Sequence, residues 1–130
     1  PVTFYSGGGG MVSTAEDYMR FAHMLLNGGE YDGVRLLSPK TIEFMTQNHL
    51  GREFEPGWGF GLGFRVNVDL AKSKILGSEG TYDWSGAANT YFFIDPKEEL
   101  IAMVWTQLFP YGAYPFAQEF KVAVYQSLIE

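Results

Sequence analysis

The stretch Trp84-Ser85-Gly86-Ala87 joins an indole to a run of small residues where a polar loop gives way to an apolar segment. Small side chains at such a junction let a substrate approach the backbone, and the N–H after Gly86 can then face a carbonyl oxygen. A donor placed there stabilises the oxyanion that forms when the carbonyl is attacked, and losing one typically costs about 2.7–4 kcal/mol of barrier. The competing reading is a glycine-eased turn carrying an exposed Trp. Just upstream, Glu79 and Asp83 are spaced as a possible pair of acid–base carboxylates. Their polar, glycine-punctuated setting reads instead as solvated loop charge.

Other chemistries lack their residues. No Ser is followed three positions later by Lys, no Tyr-x-Asn occurs, and no Gly-x-Ser-x-Gly elbow is present. The two histidines, His23 and His49, have no second ligand at helical spacing, so no metal site is expected. Gly7-Gly8-Gly9-Gly10 is followed by Met11-Val12 where a phosphate cradle needs Lys and Ser or Thr. A net charge of −6 without a basic run argues against nucleic acid and anionic membrane surfaces. The absence of cysteine removes disulfides and thiolate metal sites, and no segment approaches the ~18 apolar residues of a membrane span. The chain opens Pro1-Val2-Thr3-Phe4, without an initiator Met or a signal-like region, which predicts a start inside a longer protein or after processing.

The elements that must position the junction follow from periodicity. A length of 130 residues with 46% apolar and 17% aromatic content suits one domain with an ample core. Ser13-Thr14-Ala15-Glu16 has capping-box spacing, with the Ser13 hydroxyl as the cap, ahead of a helix whose Ala15, Tyr18, Ala22 and Leu25 share a face. Asn27-Gly28-Gly29 ends it with a left-handed cap. Ser38-Pro39 starts a second helix with Ile42, Met45 and His49 on one side. Residues 59–66 alternate as one strand, with Phe60, Leu62, Phe64 and Val66 on one face and glycines on the other, so that something packs closely against the bare side. Residues 67–73 read as a turn or loop, and Lys74-Ile75-Leu76 as a short strand. Residues 85–94 read as a strand apolar on both faces, hence interior to a sheet with a layer on each side. The turn Asp95-Pro96-Lys97-Glu98 joins it to another strand over 100–108. An aromatic loop, 109–115, precedes a last helix near 116–128, with Phe116, Phe120, Ala123, Val124 and Leu128 as its buried stripe.

The order of these features resembles the serine β-lactamase-related superfamily, in particular class C β-lactamases and the carboxylesterases that share their fold. The resemblance is carried by Gly8-Gly9-Gly10-Met11-Val12-Ser13-Thr14-Ala15-Glu16-Asp17, by Phe21-Ala22 with Met24-Leu25-Leu26-Asn27-Gly28-Gly29, and by Leu36-Leu37-Ser38. It continues through Gly57-Trp58-Gly59-Phe60-Gly61-Leu62-Gly63-Phe64 and residues 80–90 to Asp95-Pro96. It implies an α/β (α+β) sandwich, an antiparallel sheet flanked by helices, of which residues 1–130 form the C-terminal part of a single domain and contribute the last three sheet strands.

By the same resemblance, a Ser-x-x-Lys nucleophile box and a Tyr-x-Asn box lie upstream, and the third box falls on Trp84-Ser85-Gly86. Ala87 then offers the second oxyanion N–H, and Tyr82 lines the entrance. Trp84 stands where many members carry Lys, so a charge-assisted contact to a substrate carboxylate is replaced by apolar area and one N–H. This favours small acyl esters over β-lactams as the partner molecule and implies no cofactor. The alternatives are a non-catalytic penicillin-binding-like or peptide-binding module and, more remotely, a sheet that binds carbohydrate through Trp58, Tyr82 and Trp84.

Overall fold

The computed structural model describes residues 3–129. Five antiparallel strands form a meander in the order β3 (Trp58–Phe60), β4 (Arg65–Asn67), β5 (Tyr82–Ser85), β6 (Tyr91–Asp95) and β7 (Leu100–Val104). A two-stranded hairpin, β1 (Glu30–Tyr31) and β2 (Val34–Arg35), stands apart from this sheet. The strand β6 is buried along its whole length and alternates between two layers. Phe92 and Ile94 join Val66 and Tyr82 against Ala22, Met24 and Leu25 of helix α1 (Ala15–Leu26). Tyr91 and Phe93 point the other way, onto Ala117, Phe120, Val124 and Tyr125 of helix α4 (Phe116–Gln126). The expected α+β sandwich, a sheet between helices, is therefore present.

Local signals explain the helix ends. The α1 cap is Thr14, not Ser13: its hydroxyl accepts the Asp17 N–H at 3.1 Å. Two adjacent hydroxyl residues made this one-residue slip invisible to spacing, and Glu16 is used instead by Arg20, at 2.6 Å. At the other end the Gly29 N–H reaches back to the Met24 carbonyl at 2.8 Å, closing the helix with Gly28 left-handed at φ 65°. Ser38 caps the second helix, α2 (Pro39–Met45), as the sequence suggests, with Pro39 in its first turn. His49 lies beyond that helix, its Nε2 2.6 Å from the Phe44 carbonyl oxygen.

Five expectations are corrected. Residues 59–66 are not one strand but the hairpin β3–β4, because Gly63 takes φ 96°, which no extended residue adopts, and Leu62 is turned out to solvent. The bare glycine side is filled in part: a Cβ at Gly61 would lie 2.2 Å from the Met45 carbonyl oxygen and one at Gly59 2.5 Å from the Asn48 side chain, while nothing lies against Gly63. Residues 85–94 are likewise two strands, β5 and β6, joined at a left-handed Asn89. The sheet thus holds five strands of this chain rather than three. Lys74-Ile75-Leu76 is not a strand; Asp69 caps a short helix, α3 (Leu70–Ser73), and Lys74 ends it at φ 55°. In α4 the buried stripe runs through Ala117, Phe120, Lys121, Val124 and Tyr125, while Ala123 and Leu128 face outward.

Candidate active site

The β5–β6 connection is a three-residue hairpin loop built on Ala87, Ala88 and Asn89. The Asn89 N–H bonds the Gly86 carbonyl at 3.0 Å and the Gly86 N–H bonds the Thr90 carbonyl at 2.9 Å. A turn followed by one left-handed residue is a common hairpin solution, and Asn tolerates that conformation better than most side chains. Gly86 is held without a side chain because a Cβ there would sit 2.3 Å from Thr90 Oγ1. The Ala87 N–H, at the tip, donates to no acceptor among the described residues.

Trp84, Ser85, Gly86 and Ala87 line one cleft of about 440 Å³, together with Phe54, Glu55, Arg65, Asp83, Tyr91, Tyr111 and Ala117. Its walls are aromatic. Trp84, 42% exposed, meets the Phe60 ring edge-on at 5.1 Å, and Phe54 packs on Phe60 at 5.2 Å. From the aromatic loop, Tyr111 brings its hydroxyl 2.7 Å from Ser85 Oγ.

The charged groups of the cleft are paired with one another. Arg65 donates through Nε and Nη2 to the two oxygens of Asp83, at 2.9 and 3.0 Å, and through Nη1 to Glu55 at 2.8 Å. Its guanidinium lies 3.9 Å over the Trp58 ring. Burial opposes the Arg65 charge, yet the bonds to Asp83 and Glu55 outweigh it and push the guanidinium pKa up. The Tyr91 hydroxyl donates to Asp83 Oδ2 at 2.8 Å, and burial together with that carboxylate raises its pKa strongly. Beneath them the fully buried Lys121 ammonium stands 4.0 Å from Asp83 Oδ2 and 5.0 Å from the Trp58 and Phe93 rings. Burial lowers its pKa to about 8.

The structure brings together Trp84, Ser85, Gly86 and Ala87 and leaves Tyr82 out. The Tyr82 ring is buried in the core on the α1 side, 5.3 Å from Phe64, paired with Ile94 further from the hairpin tip than Trp84. Tyr82 therefore does not line the entrance. Asp83 is not a solvated loop charge either: it is 1% exposed and belongs to the sheet. With Trp58 and Tyr82 both buried, only Trp84 of the three aromatic residues could offer a ring to a sugar. Sequence reasoning missed Lys121, Asn89 and Tyr111. Lys121 interrupts an apolar stripe at 117, 120, 124 and 125, and Asn89 follows a tight Gly-Ala-Ala run; both were readable signals.

Comparison with known proteins decides the family. A family model described as Beta-lactamase matches residues 1–126. The chain belongs to the Beta-lactamase family. It is 42% identical over 123 residues to Protein Rv1367c of Mycobacterium tuberculosis (strain ATCC 25618 / H37Rv), covering 85% of this chain and 31% of that protein. A putative D-alanyl-D-alanine carboxypeptidase of Salmonella newport (strain SL254) is 31% identical over 76% of this chain and 22% of its own length. Among solved structures, EstCE1, described as a hydrolase with promiscuous acyltransferase activity, superposes with a TM-score of 0.81 at 31% identity, over 92% of this chain and 32% of its own. Simvastatin synthase (LovD) from Aspergillus terreus gives 0.68 at 26% identity, over 88% and 34%. A penicillin-binding protein homologue from Caulobacter crescentus, at 21% identity and a TM-score of 0.65, shares the fold. The chain thus spans about a third or less of the length of these relatives.

Proposed function

We propose that this chain is the C-terminal segment of a serine hydrolase domain and supplies one wall of its acyl-transfer site. The observation that carries the reading is the junction itself: Trp84, Ser85, Gly86 and Ala87 line a single cleft, with the Ala87 N–H free of any partner among the described residues. A free backbone donor beside an apolar cleft suits an oxyanion better than a neutral ligand. The attacking serine and its base lie in the remainder of the protein. That is consistent with relatives about three times as long and with the lack of any Ser-x-x-Lys in these 130 residues.

In the proposed reaction the serine Oγ attacks the substrate carbonyl, its proton passes to a base, and the carbonyl oxygen becomes the oxyanion facing Ala87. Collapse expels the alcohol, which takes up a proton. Water then attacks the acyl-serine and releases the acid. Substrates are small uncharged esters. The cations and anions of this wall, Arg65, Asp83 and Glu55, satisfy one another, so among the described residues the wall offers no free cation to the carboxylate that a β-lactam or a peptide terminus carries. Relatives whose names describe hydrolase, acyltransferase and carboxypeptidase activity support chemistry at a carbonyl.

The test compares the complete protein with the isolated 130 residues on p-nitrophenyl butyrate and on a chromogenic cephalosporin. The complete protein is expected to cleave the ester far faster than the cephalosporin, and the isolated chain to cleave neither. Robust turnover by the isolated chain would sink the segment reading, and an inert complete protein would leave a binding module in its place.

A further inference from the structure

The aromatic loop 109–115 is fastened to the hairpin that carries Ala87, and one side chain spans the joint. Asn89 Nδ2 donates to the Leu108 carbonyl at 2.6 Å and its Oδ1 accepts the Gly112 N–H at 3.3 Å, so the amide grips both ends of the loop. The neighbouring Ala88 carbonyl accepts the Leu108 N–H at 3.0 Å and the Thr106 hydroxyl at 2.7 Å. A glycine would satisfy the φ of 58° at position 89. Only a side chain with both donor and acceptor makes the two loop bonds. Asn89 is 7% exposed, whereas Tyr111 is 59% exposed. Tyr111 is therefore held across the cleft by the loop and by its bond to Ser85 rather than by burial.

We propose that Asn89 and Tyr111 set which acyl groups the cleft accepts: Tyr111 is the wall against which an apolar acyl chain lies, opposite Trp84, and Asn89 is the positioning residue that keeps the wall in place. This rests on the acyl-transfer reading of the same cleft. With the loop pinned, Tyr111 bounds the cleft of about 440 Å³ together with Trp84 and Phe54, and an acyl chain long enough to reach its ring is stopped there. With the loop released, long chains enter.

The experiment measures kcat/KM of the complete protein on p-nitrophenyl butyrate and p-nitrophenyl decanoate for Asn89→Gly, Tyr111→Phe and Tyr111→Ala. The decanoate-to-butyrate ratio is expected to rise about tenfold in Asn89→Gly and Tyr111→Ala, the scale of a pocket that gains room for methylenes. Tyr111→Phe, which keeps the ring, should move it less. A merely structural loss would lower both substrates together and leave the ratio unchanged, and that result overturns the proposal. Amide hydrogen exchange reads the fastening without turnover: Leu108 and Gly112 should exchange at least about tenfold faster in Asn89→Gly, with β6 unchanged, and equal exchange overturns the positioning role. A wild-type protein that cleaves no ester overturns the selectivity together with the reading beneath it. An active one with an unmoved ratio overturns the selectivity alone.

Discussion

Arg65 and Asp83 face each other in register across β4 and β5, and the guanidinium holds both oxygens of the carboxylate, at 2.9 and 3.0 Å, one residue before Trp84. The pair joins the cleft to the layer beneath it, since Asp83 also receives the Tyr91 hydroxyl and faces Lys121. Breaking a buried pair from one side strands a charge, which costs about 3–5 kcal/mol. Arg65→Met and Asp83→Leu should each destabilise by that order in urea unfolding. Together they should cost clearly less than the sum, because the second change removes the charge that the first left stranded. Additive costs would mean that the two residues act separately.

Lys121 makes stability depend on pH in an unusual direction. Burial holds its ammonium near a pKa of about 8, against 10.5 for an ordinary lysine. Between these values the unfolded chain binds the proton that the folded chain has released, so stability rises with pH across that window, by a total on the order of 3 kcal/mol. Tyr82, Tyr91 and Tyr125 act oppositely. Burial raises all three, with Asp83 adding to it at Tyr91 and Asp95 at Tyr125. The folded state therefore keeps protons that the unfolded chain loses, and stability falls above about pH 10. Arg65, Asp83 and Asp95 are the charged groups acting on Lys121. Urea midpoints from pH 7 to 11 should pass through a maximum. Lys121→Met should remove the rise and stabilise the protein at pH 7, since Asp83 keeps Arg65 and Tyr91.

Ala87→Pro isolates the proposed oxyanion donor. Residue 87 is the second position of the turn closed from Asn89 to Gly86, a place where proline is favoured, and Gly86 before it tolerates the restriction. The substitution therefore deletes an N–H with little change to the hairpin. In the complete protein kcat on p-nitrophenyl butyrate should fall about 10²–10³-fold, with unfolding midpoints near wild type. An unchanged kcat with an intact fold would remove Ala87 from the chemistry.

The layers of this fold were legible where one periodicity ran unbroken. Tyr18, Ala22 and Leu25 of the α1 stripe, though not the exposed Ala15, the Ser38-Pro39 start of α2 and the two-sided burial of Tyr91, Phe92, Phe93 and Ile94 are as alternation and helical spacing require. Hairpins were lost where apolar alternation runs on through the turn. Phe60, Leu62, Phe64 and Val66 look continuous, and only the backbone shows Gly63 left-handed with Leu62 outside. Residues 85–94 hide Asn89 in the same way.

That Trp84 to Ala87 line one cleft was legible because small residues mark where a backbone can be approached. Their supports were not. Asp83 reads as a loop charge until Arg65, 18 positions earlier, is brought beside it. Tyr111 reaches Ser85 from 26 positions later, a distance no local pattern spans.

Labelling of the complete protein with a fluorophosphonate, followed by mapping of the modified peptide, tests the central claim most directly. One serine outside these 130 residues should be labelled, and Ala87→Pro should slow the labelling by weakening the oxyanion site. Modification of Ser85 or of another serine within this chain, or no modification of a folded protein, would contradict the assignment of this cleft as one wall of a serine acyl-transfer site.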